Sequence, residues 1–353
     1  MKPTIVVRNN PVEEYKTEFG QGLGQRHMML DYVLLLKKLK SLRLQRPGVV
    51  STIKEARKKE KTAKKQIDQE IFELVVKISK IEKHFDYCAL ITASLPDVDI
   101  VDNNSILKDI NNTHGPYVVR AMASKKYIAH AIETGQDYIF LENGYFGNYK
   151  NLINHKSKKQ WHRVCVNEMQ QEDILDVPDD RWKALLQSDD RLRWPGWKKS
   201  GSKILLVVPS SKPCEYYNQD VRTWKEQTIN TIKQHTDREI VVREKASRSD
   251  RTQKKTIYQA LDEDIFCMVT YQSIAAVESI AYGIPAFTLA PSAAKSVSFQ
   301  DLSLIETPYY PDPELVYKWC SSLAYGQFTL EEMLYGDAWR MIMENKTRET
   351  ISC

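Results

Sequence analysis

The sequence predicts an α/β protein of two Rossmann-like domains facing a cleft, with a basic helical arm inserted in the first. Three observations support this. Apolar runs of strand length alternate with helical stripes along most of the chain, which argues a largely parallel sheet with ligands at the carboxyl ends of its strands. The 353 residues exceed one ordinary core and suit two domains. Residues 176–202 are rich in Pro, Gly, Trp and alternating charge, a composition shift that marks a linker between domains 1–175 and 203–353.

Composition narrows the class. Hydrophobic content of 42% and charged content of 27% are ordinary for a globular protein. The sequence has no apolar run of membrane-spanning length, and MKPTIVVRNN lacks the apolar core of a signal peptide. The six cysteines are scattered without C-x-x-C spacing, and Cys88, Cys165 and Cys267, in apolar strand-like runs, read as reduced core residues, so a cytoplasmic location is expected. The net charge of +5 is uneven: Lys37 to Lys65 holds twelve Lys or Arg and two Glu, a local +10, leaving about −5 elsewhere.

Pro3 to Val7 reads as the first strand. Gly20, Gly22 and Gly24 precede a helical run to Leu39 that opens with Arg26 and His27. This does not match a dinucleotide fingerprint, because the strand ends a dozen residues too early and the last glycine is missing. After Pro47 and Gly48 the insertion (about 42–82) is helix-prone. Its first half carries Lys54, Arg57, Lys58, Lys59, Lys61, Lys64 and Lys65; Ile67, Ile71, Leu74, Val75 and Ile78 then form a docking stripe. Such a run is either a solvated face or an arm for nucleic-acid phosphates with steep salt dependence.

Tyr87 to Thr92 is expected as a strand. Asp97 and Asp99 form a D-x-D pair in a loop after Pro96, which is not read as a metal site, and no metal is expected. Tyr117 to Arg120, Ser124 to Glu133 and Tyr138 to Leu141 continue as strand, helix and strand. Glu142 follows that last strand, with Tyr145 and Phe146 beyond it. A partly desolvated carboxylate there suits removal of a hydroxyl proton, and the two rings suit stacking on a base or sugar. The other reading is a loop-capping glutamate beside two core aromatics. His27 and His114 are the next candidates for the base. Lys158, Lys159 and Arg163 make a second basic patch around Trp161, and Arg163 also opens the strand RVCVN.

Ile204 to Val208 begins the second domain and ends at Pro209, Ser210 and Ser211. A helix over Val221 to Lys233 and a strand over Glu239 to Arg243 follow. Arg243 and Lys245 share one face two residues apart; they either salt-bridge to neighbours or neutralise a diphosphate. Ile265 to Val269 is the next strand. Gln272 and Ser273 turn the chain into a helix over Ile274 to Tyr282, ended by Gly283 and Pro285, before the strand Ala286 to Leu289. Ser273 at the helix start suits an anion. Glu278, on a buried helix, needs a partner, which is either a nearby cation or the hydroxyls of a ribose. Glu314 to Leu323 and Thr329 to Met343 read as the closing helices, the last placed where it could return to the first domain.

Ser273, Glu278, Gly283, Ile284 and Pro285 resemble the S-x(4–5)-E-x(3–4)-G-I/K-P signature of GT-B glycosyltransferases and nucleotide-sugar 2-epimerases. The stretch Val269 to Trp339 is similar to phage-encoded glycosyltransferase-like proteins, some associated with sugar modification of DNA bases. The resemblance covers roughly Lys203 to Trp339. It implies a GT-B-like fold and a nucleotide-sugar co-substrate, expected to be a UDP-sugar, with no cofactor. By that resemblance Ser273 and Ile274 receive the donor diphosphate, Glu278 holds the ribose, and Arg243 and Lys245 serve in place of a metal. The expected acceptor is a hydroxymethylated pyrimidine in double-stranded DNA, which must be flipped out to react. The alternatives are transfer to a surface polysaccharide or lipid-linked sugar, 2-epimerisation, or non-catalytic DNA binding. The expected assembly is a monomer or homodimer.

Overall fold

The computed structural model describes residues 4–7, 61–74, 99–102, 114–147, 161–188, 194–244 and 256–351, and residues 38, 88, 91, 95 and 192 singly. Two sheets dominate. The first contains β1 (Thr4–Val7), β2 (Asp99–Asp102), β3 (Tyr117–Arg120), β4 (Tyr138–Asn143), β5 (Trp161–Val166) and β11 (Gln327–Thr329), in the order β11-β5-β4-β3-β1-β2. The neighbours among β1 to β4 pair in parallel, while β5 runs antiparallel to β4 and β11 antiparallel to β5. The second contains β7 (Lys203–Val207), β8 (Glu239–Arg243), β9 (Ile265–Thr270) and β10 (Ala286–Thr288), all parallel, in the order β10-β9-β7-β8. Strands β2-β1-β3-β4 and β8-β7-β9-β10 thus repeat one winding. In each, the second strand lies on one side of the first and the later two on the other.

The helices follow from apolar spacing. In α1 (Lys125–Thr134), between β3 and β4, Tyr127, Ile128 and Ala131 are buried. In α4 (Val221–Lys233), Trp224, Thr228 and Ile232 recur every fourth residue as the buried stripe, and Asp220 caps the start by accepting from Thr223 N. Further α-helices are α2 (Asp180–Ser188), α3 (Ser211–Tyr216), α5 (Ile257–Leu261), α6 (Ala275–Ala281), α7 (Pro313–Tyr325), α8 (Leu330–Tyr335) and α9 (Asp337–Asn345). One buried cluster joins Tyr145, Phe146 and Trp182 to Leu205, Met268, Ala276 and Trp319. The core is therefore continuous from the loop after β4, through α2 and α7, to the second sheet.

The chain returns to the first sheet after α7. Arg181 of α2 organises the return, donating to Ala324 O at 3.0 Å and Gln327 O at 2.7 Å and pairing with Glu332 of α8. A short strand β6 (Ile174–Leu175) is closed by the antiparallel β12 (Thr350–Ile351). Gly336, at φ +86°, splits the expected helix over Thr329 to Met343 into α8 and α9. The strand expected at Tyr87 to Thr92 is also corrected: its two described residues, Cys88 and Ile91, are helical and buried. The strand lies later, at β2, which includes Asp99 of the D-x-D pair and registers Asp99 against Thr4. Apolar residues buried on a helix and on a parallel strand give the same local pattern. No helix among the described residues is long and apolar enough to cross a membrane.

Candidate functional site

The winding of the second sheet reverses beside β7 and β9, and in open α/β sheets ligands bind outside the carboxyl ends of such a strand pair. Here those ends are Val208, Pro209 and Ser210 after β7, and Tyr271, Gln272 and Ser273 after β9. Thr270 Oγ1 donates to Val207 O at 2.9 Å and Leu289 N donates to Thr270 O at 3.0 Å, so the three strand ends are fastened side by side. Arg243 ends β8 at the same edge. It is half-buried, and burial pulls its guanidinium below the ordinary arginine range.

Helix α6 starts at this edge. Ser273 Oγ accepts from Ala275 N at 3.2 Å, and Ser273 O accepts from Ala276 N at 3.0 Å, so Ser273 caps the first turn although the regular helix begins two residues later. The helix stops as the sequence predicts. Gly283 is left-handed at φ +82°, its N–H meets Ile280 O at 2.9 Å, and Ile284 N meets Ser279 O at 2.9 Å. A side chain on Gly283 would strike Gly196 O, so the segment around Trp194 and Trp197 packs flush on this turn. Trp197 Nε1 donates to Pro311 O at 2.8 Å, a packing role.

Glu278 sits in the first turn of α6 and is 4% exposed. Its Oε1 is buried with no hydrogen-bond partner. Burial alone pushes the carboxyl up to about 8. The cationic partner that would make Glu278 a structural residue is missing among the described residues. A buried carboxylate oxygen left unsatisfied carries an unmet capacity to accept from hydroxyl donors.

A second constellation comes from residues 167–173, NEMQQED, the turn that follows β5. Asn167, left-handed at φ +61°, accepts from Tyr138 N at 2.9 Å and donates to Asp137 at 2.6 Å. Gln170 reaches the second sheet: its amide donates to Gln272 O at 2.6 Å and accepts from Ala293 N at 3.1 Å. Gln171 N donates to the Tyr145 hydroxyl at 2.9 Å, and its side chain donates to Ser322 Oγ. Glu172 pairs with Lys295 at 2.9 Å. Glu168 accepts from Glu172 N at 3.1 Å through Oε2. Its carboxyl is pushed up to about 7, chiefly by burial, with Glu172 and Asp173 adding to the rise, while the Glu172 N–H and Lys295 oppose it. A cavity of about 200 Å³ opens beside it, lined also by Tyr138, Gln170, Glu172, Tyr216, Tyr217 and Pro291.

The structure sorts the expected site residues. Ser273, Ile274, Gln272, Arg243, Pro209, Ser210 and Ser211 lie at the carboxyl edge of the second sheet, with Glu278 one turn into α6. Gln272 and Pro209 are buried, while Ser210 and Ser211 are exposed. Glu142 does not follow β4 but lies within it, one residue before its end, and its Oε1 accepts from the next residue, Asn143 N, at 3.0 Å. His114 precedes β3, so it sits at the amino edge of the parallel strands, at the opposite edge from Glu142, and the two do not share a site. Tyr145 and Phe146 are core residues at 1% and 2% exposure and are not stacking platforms. Arg163 is likewise buried. Its guanidinium donates to Met169 O at 3.1 Å and Asn143 O at 2.9 Å, so a phosphate would have to displace structural hydrogen bonds. Lys61 and Lys65 are exposed and Lys64 is part-buried on the helical residues 61–74. His27, Lys54, Arg57, Lys58, Lys59, Lys158, Lys159 and Lys245 lie outside the described residues. Among those described, no group of three or more His, Cys, Asp or Glu is placed to hold a metal ion.

The expectation passed over Glu168, Gln170, Tyr216 and Tyr217. Nothing in a polar heptad after a strand announces that Gln170 and Gln171 will be buried and that Gln170 will bond to the turns of a distant sheet.

No family model matches the chain, and no curated protein matches it. Among solved structures it is similar to Thermosulfurimonas dismutans KpsC, a beta Kdo 2,4 transferase, at 11% identity and a TM-score of 0.41, over 72% of this chain and 93% of that one. A likeness that loose carries no weight for function.

Proposed function

We propose that the protein is a glycosyltransferase that takes its sugar from a nucleotide-sugar held at the carboxyl edge of the second sheet. The observation that carries this reading is Glu278: a buried carboxylate with an unpartnered oxygen, one turn beyond β9, in a sheet whose winding reverses at that strand. The Ser273–Glu278–Gly283–Ile284–Pro285 spacing adds its resemblance to donor-binding turns. In this reading Glu278 accepts from the ribose hydroxyls. The backbone around Ser273 and Ile274, with Arg243 and Lys245, stabilises the departing diphosphate, and such preorganised charge is often the largest catalytic contribution.

Two acceptors compete. The basic run over Lys37 to Lys65 supports a hydroxymethylated pyrimidine in duplex DNA, as its cations would track phosphates. The cavity beside Glu168 favours a glycan hydroxyl, because two carboxylates and three tyrosines line it, a wall suited to an uncharged hydroxylated ring. With Arg163 withdrawn into the core, the described residues favour the glycan.

Calorimetric titration of UDP and GDP into the wild type and Glu278→Ala tests the donor site. A loss of roughly 10- to 100-fold in affinity is expected, the worth of hydrogen bonds to a charged group. Equal affinity would retire Glu278 as the ribose ligand. Filter binding to duplex DNA across a salt series separates the acceptors: a steep salt slope supports DNA and a flat, weak response supports the glycan.

A further inference from the structure

The geometry points to Glu168 as the residue that takes the acceptor's proton, in a cavity between the two sheets that holds one uncharged sugar ring. This rests on the donor reading above and extends it to the acceptor, a role for which the sequence favoured Glu142.

Placement is the first reason. Gln170 both lines the cavity and donates to Gln272 O, the backbone just before Ser273. Pro291, on the turn after β10, forms another wall. Tyr217 lies between the cavity and the strand end, its ring 5.0 Å from Tyr216 and 6.0 Å from Tyr271. The cavity therefore abuts the edge assigned to the donor, whereas Glu142 turns back onto its own backbone.

Size and lining are the second. The volume of about 200 Å³ falls below the roughly 300–1,000 Å³ of pockets that enclose drug-sized ligands, so it suits a single ring. Aromatic faces can stack on the ring's C–H surface, and carboxylate oxygens accept from its hydroxyls. The lining carries no Lys or Arg to receive a phosphate.

Chemistry is the third. Glu168 Oε2 is held by Glu172 N, and Oε1 has no donor among the described residues. Burial sets its pKa at about 7, where a carboxylate is both present and basic enough to accept a hydroxyl proton. The charged and titratable groups around it are Glu172 and Asp173 on its own segment, Lys295 after β10, Cys165 on β5, Tyr138 on β4, Tyr216 at the end of α3 and Tyr217 just after it, and Lys346 after α9, which is paired with Asp137. In the transfer step the acceptor oxygen bonds to the anomeric carbon as its proton passes to Glu168. The bond from that carbon to the diphosphate oxygen breaks, and the electron pair leaves with the nucleotide.

The test uses full-length wild type, Glu168→Gln and Tyr217→Ala, with UDP- and GDP-hexoses as donors and methyl hexopyranosides as the acceptor probe. Products are read by mass, glycoside binding by saturation-transfer NMR, and nucleotide affinity by calorimetry. Glu168→Gln is expected to bind nucleotide within about threefold of wild type and to lose transfer by roughly 100- to 10,000-fold. The wild-type rate should fall on the acid side through about pH 7, and the variant's residual rate should lack that limb. Tyr217→Ala should weaken the glycoside signal and leave nucleotide affinity intact, which keeps the cavity testable if Glu168→Gln folds poorly. Transfer by Glu168→Gln at the wild-type rate, or with the acid limb intact, would overturn the assignment. So would glycoside binding indifferent to Tyr217, or transfer to 5-hydroxymethylcytosine DNA in preference to every glycoside. A wild type that binds glycoside in the cavity but no nucleotide would overturn the donor reading itself, and the two failures are thereby told apart.

Discussion

Glu278 is a buried and Glu168 a half-buried carboxyl, both with raised pKa values, yet the protein treats them differently. Glu278 lies on a regular helix whose Ala275, Ala276, Val277 and Ile280 belong to the buried core, with no partner for its Oε1. Glu168 lies on an irregular turn, accepts a backbone N–H and borders a cavity. The first stays largely protonated at pH 7 until donors favour its ionised form; the second, at about 7, exchanges its proton freely near neutral pH. Burial is the only cause of the rise at Glu278 and the chief one at Glu168, and the surroundings decide what each carboxylate is for.

The largest expected effect separates cost from use at Glu278. Glu278→Met replaces the carboxylate with an apolar side chain of similar reach. At pH 9 this should raise the unfolding free energy by on the order of a few kcal/mol, because an uncompensated buried charge is removed. Nucleotide affinity should fall at the same time. Denaturant unfolding and calorimetry on the same variant check both; a destabilised Glu278→Met would mean that the carboxylate has a structural partner.

The next effect is the pH dependence of the wild type. Both carboxyls have folded pKa values above their ordinary 4.5, at about 8 and about 7. Their contribution to stability is therefore fully present below about pH 4.5 and is lost as pH rises through 7 and then 8. Denaturation midpoints measured from pH 5 to 9 should show this decline, less steeply in Glu278→Gln. Hydroxyl donors favour the ionised form of Glu278, so nucleotide binding at pH 7 should release protons, measured by calorimetry in buffers of different ionisation enthalpy. Zero release would remove Glu278 from the contact.

Gln170→Leu probes the tie between the two sites. It leaves Gln272 O and Ala293 N without the side chain that now satisfies them and should cost roughly 2–3 kcal/mol in denaturant unfolding. Lys295→Ala is expected to be smallest, about 1 kcal/mol or less, as its pair with Glu172 is partly exposed. It should also move the acid limb of transfer upward, because Lys295 holds the Glu168 carboxyl down. An unmoved limb would place the titrating group elsewhere.

The contrast also explains what could be read in advance. Strand β9, helix α6 and the Gly283 stop follow from local rules: an apolar run, a helical stripe and a left-handed glycine before proline. Strand β2 and the Gly336 break were missed, because the four residues DIVD are too few to show a period and one glycine inside a helical pattern is ambiguous. Arg163, Tyr145 and Phe146 were legible as residue types but not as destinations. Whether an arginine meets a phosphate or its own carbonyls is settled by which backbone folds over it.

The amino-acid sequence by itself determined the α/β class, the strand–turn–helix unit at Ser273 to Gly283 and the residue that occupies its buried first turn, since all of these depend on neighbours a few positions apart. Only the tertiary structure decided that residues 167–173 cross to the second sheet, that Glu168 faces a cavity, and that β11 closes the first sheet's far edge. Those outcomes join residues more than a hundred positions apart, such as Gln170 with Gln272 and Arg163 with Gln327. Their energy comes from contacts that local sequence pattern does not encode.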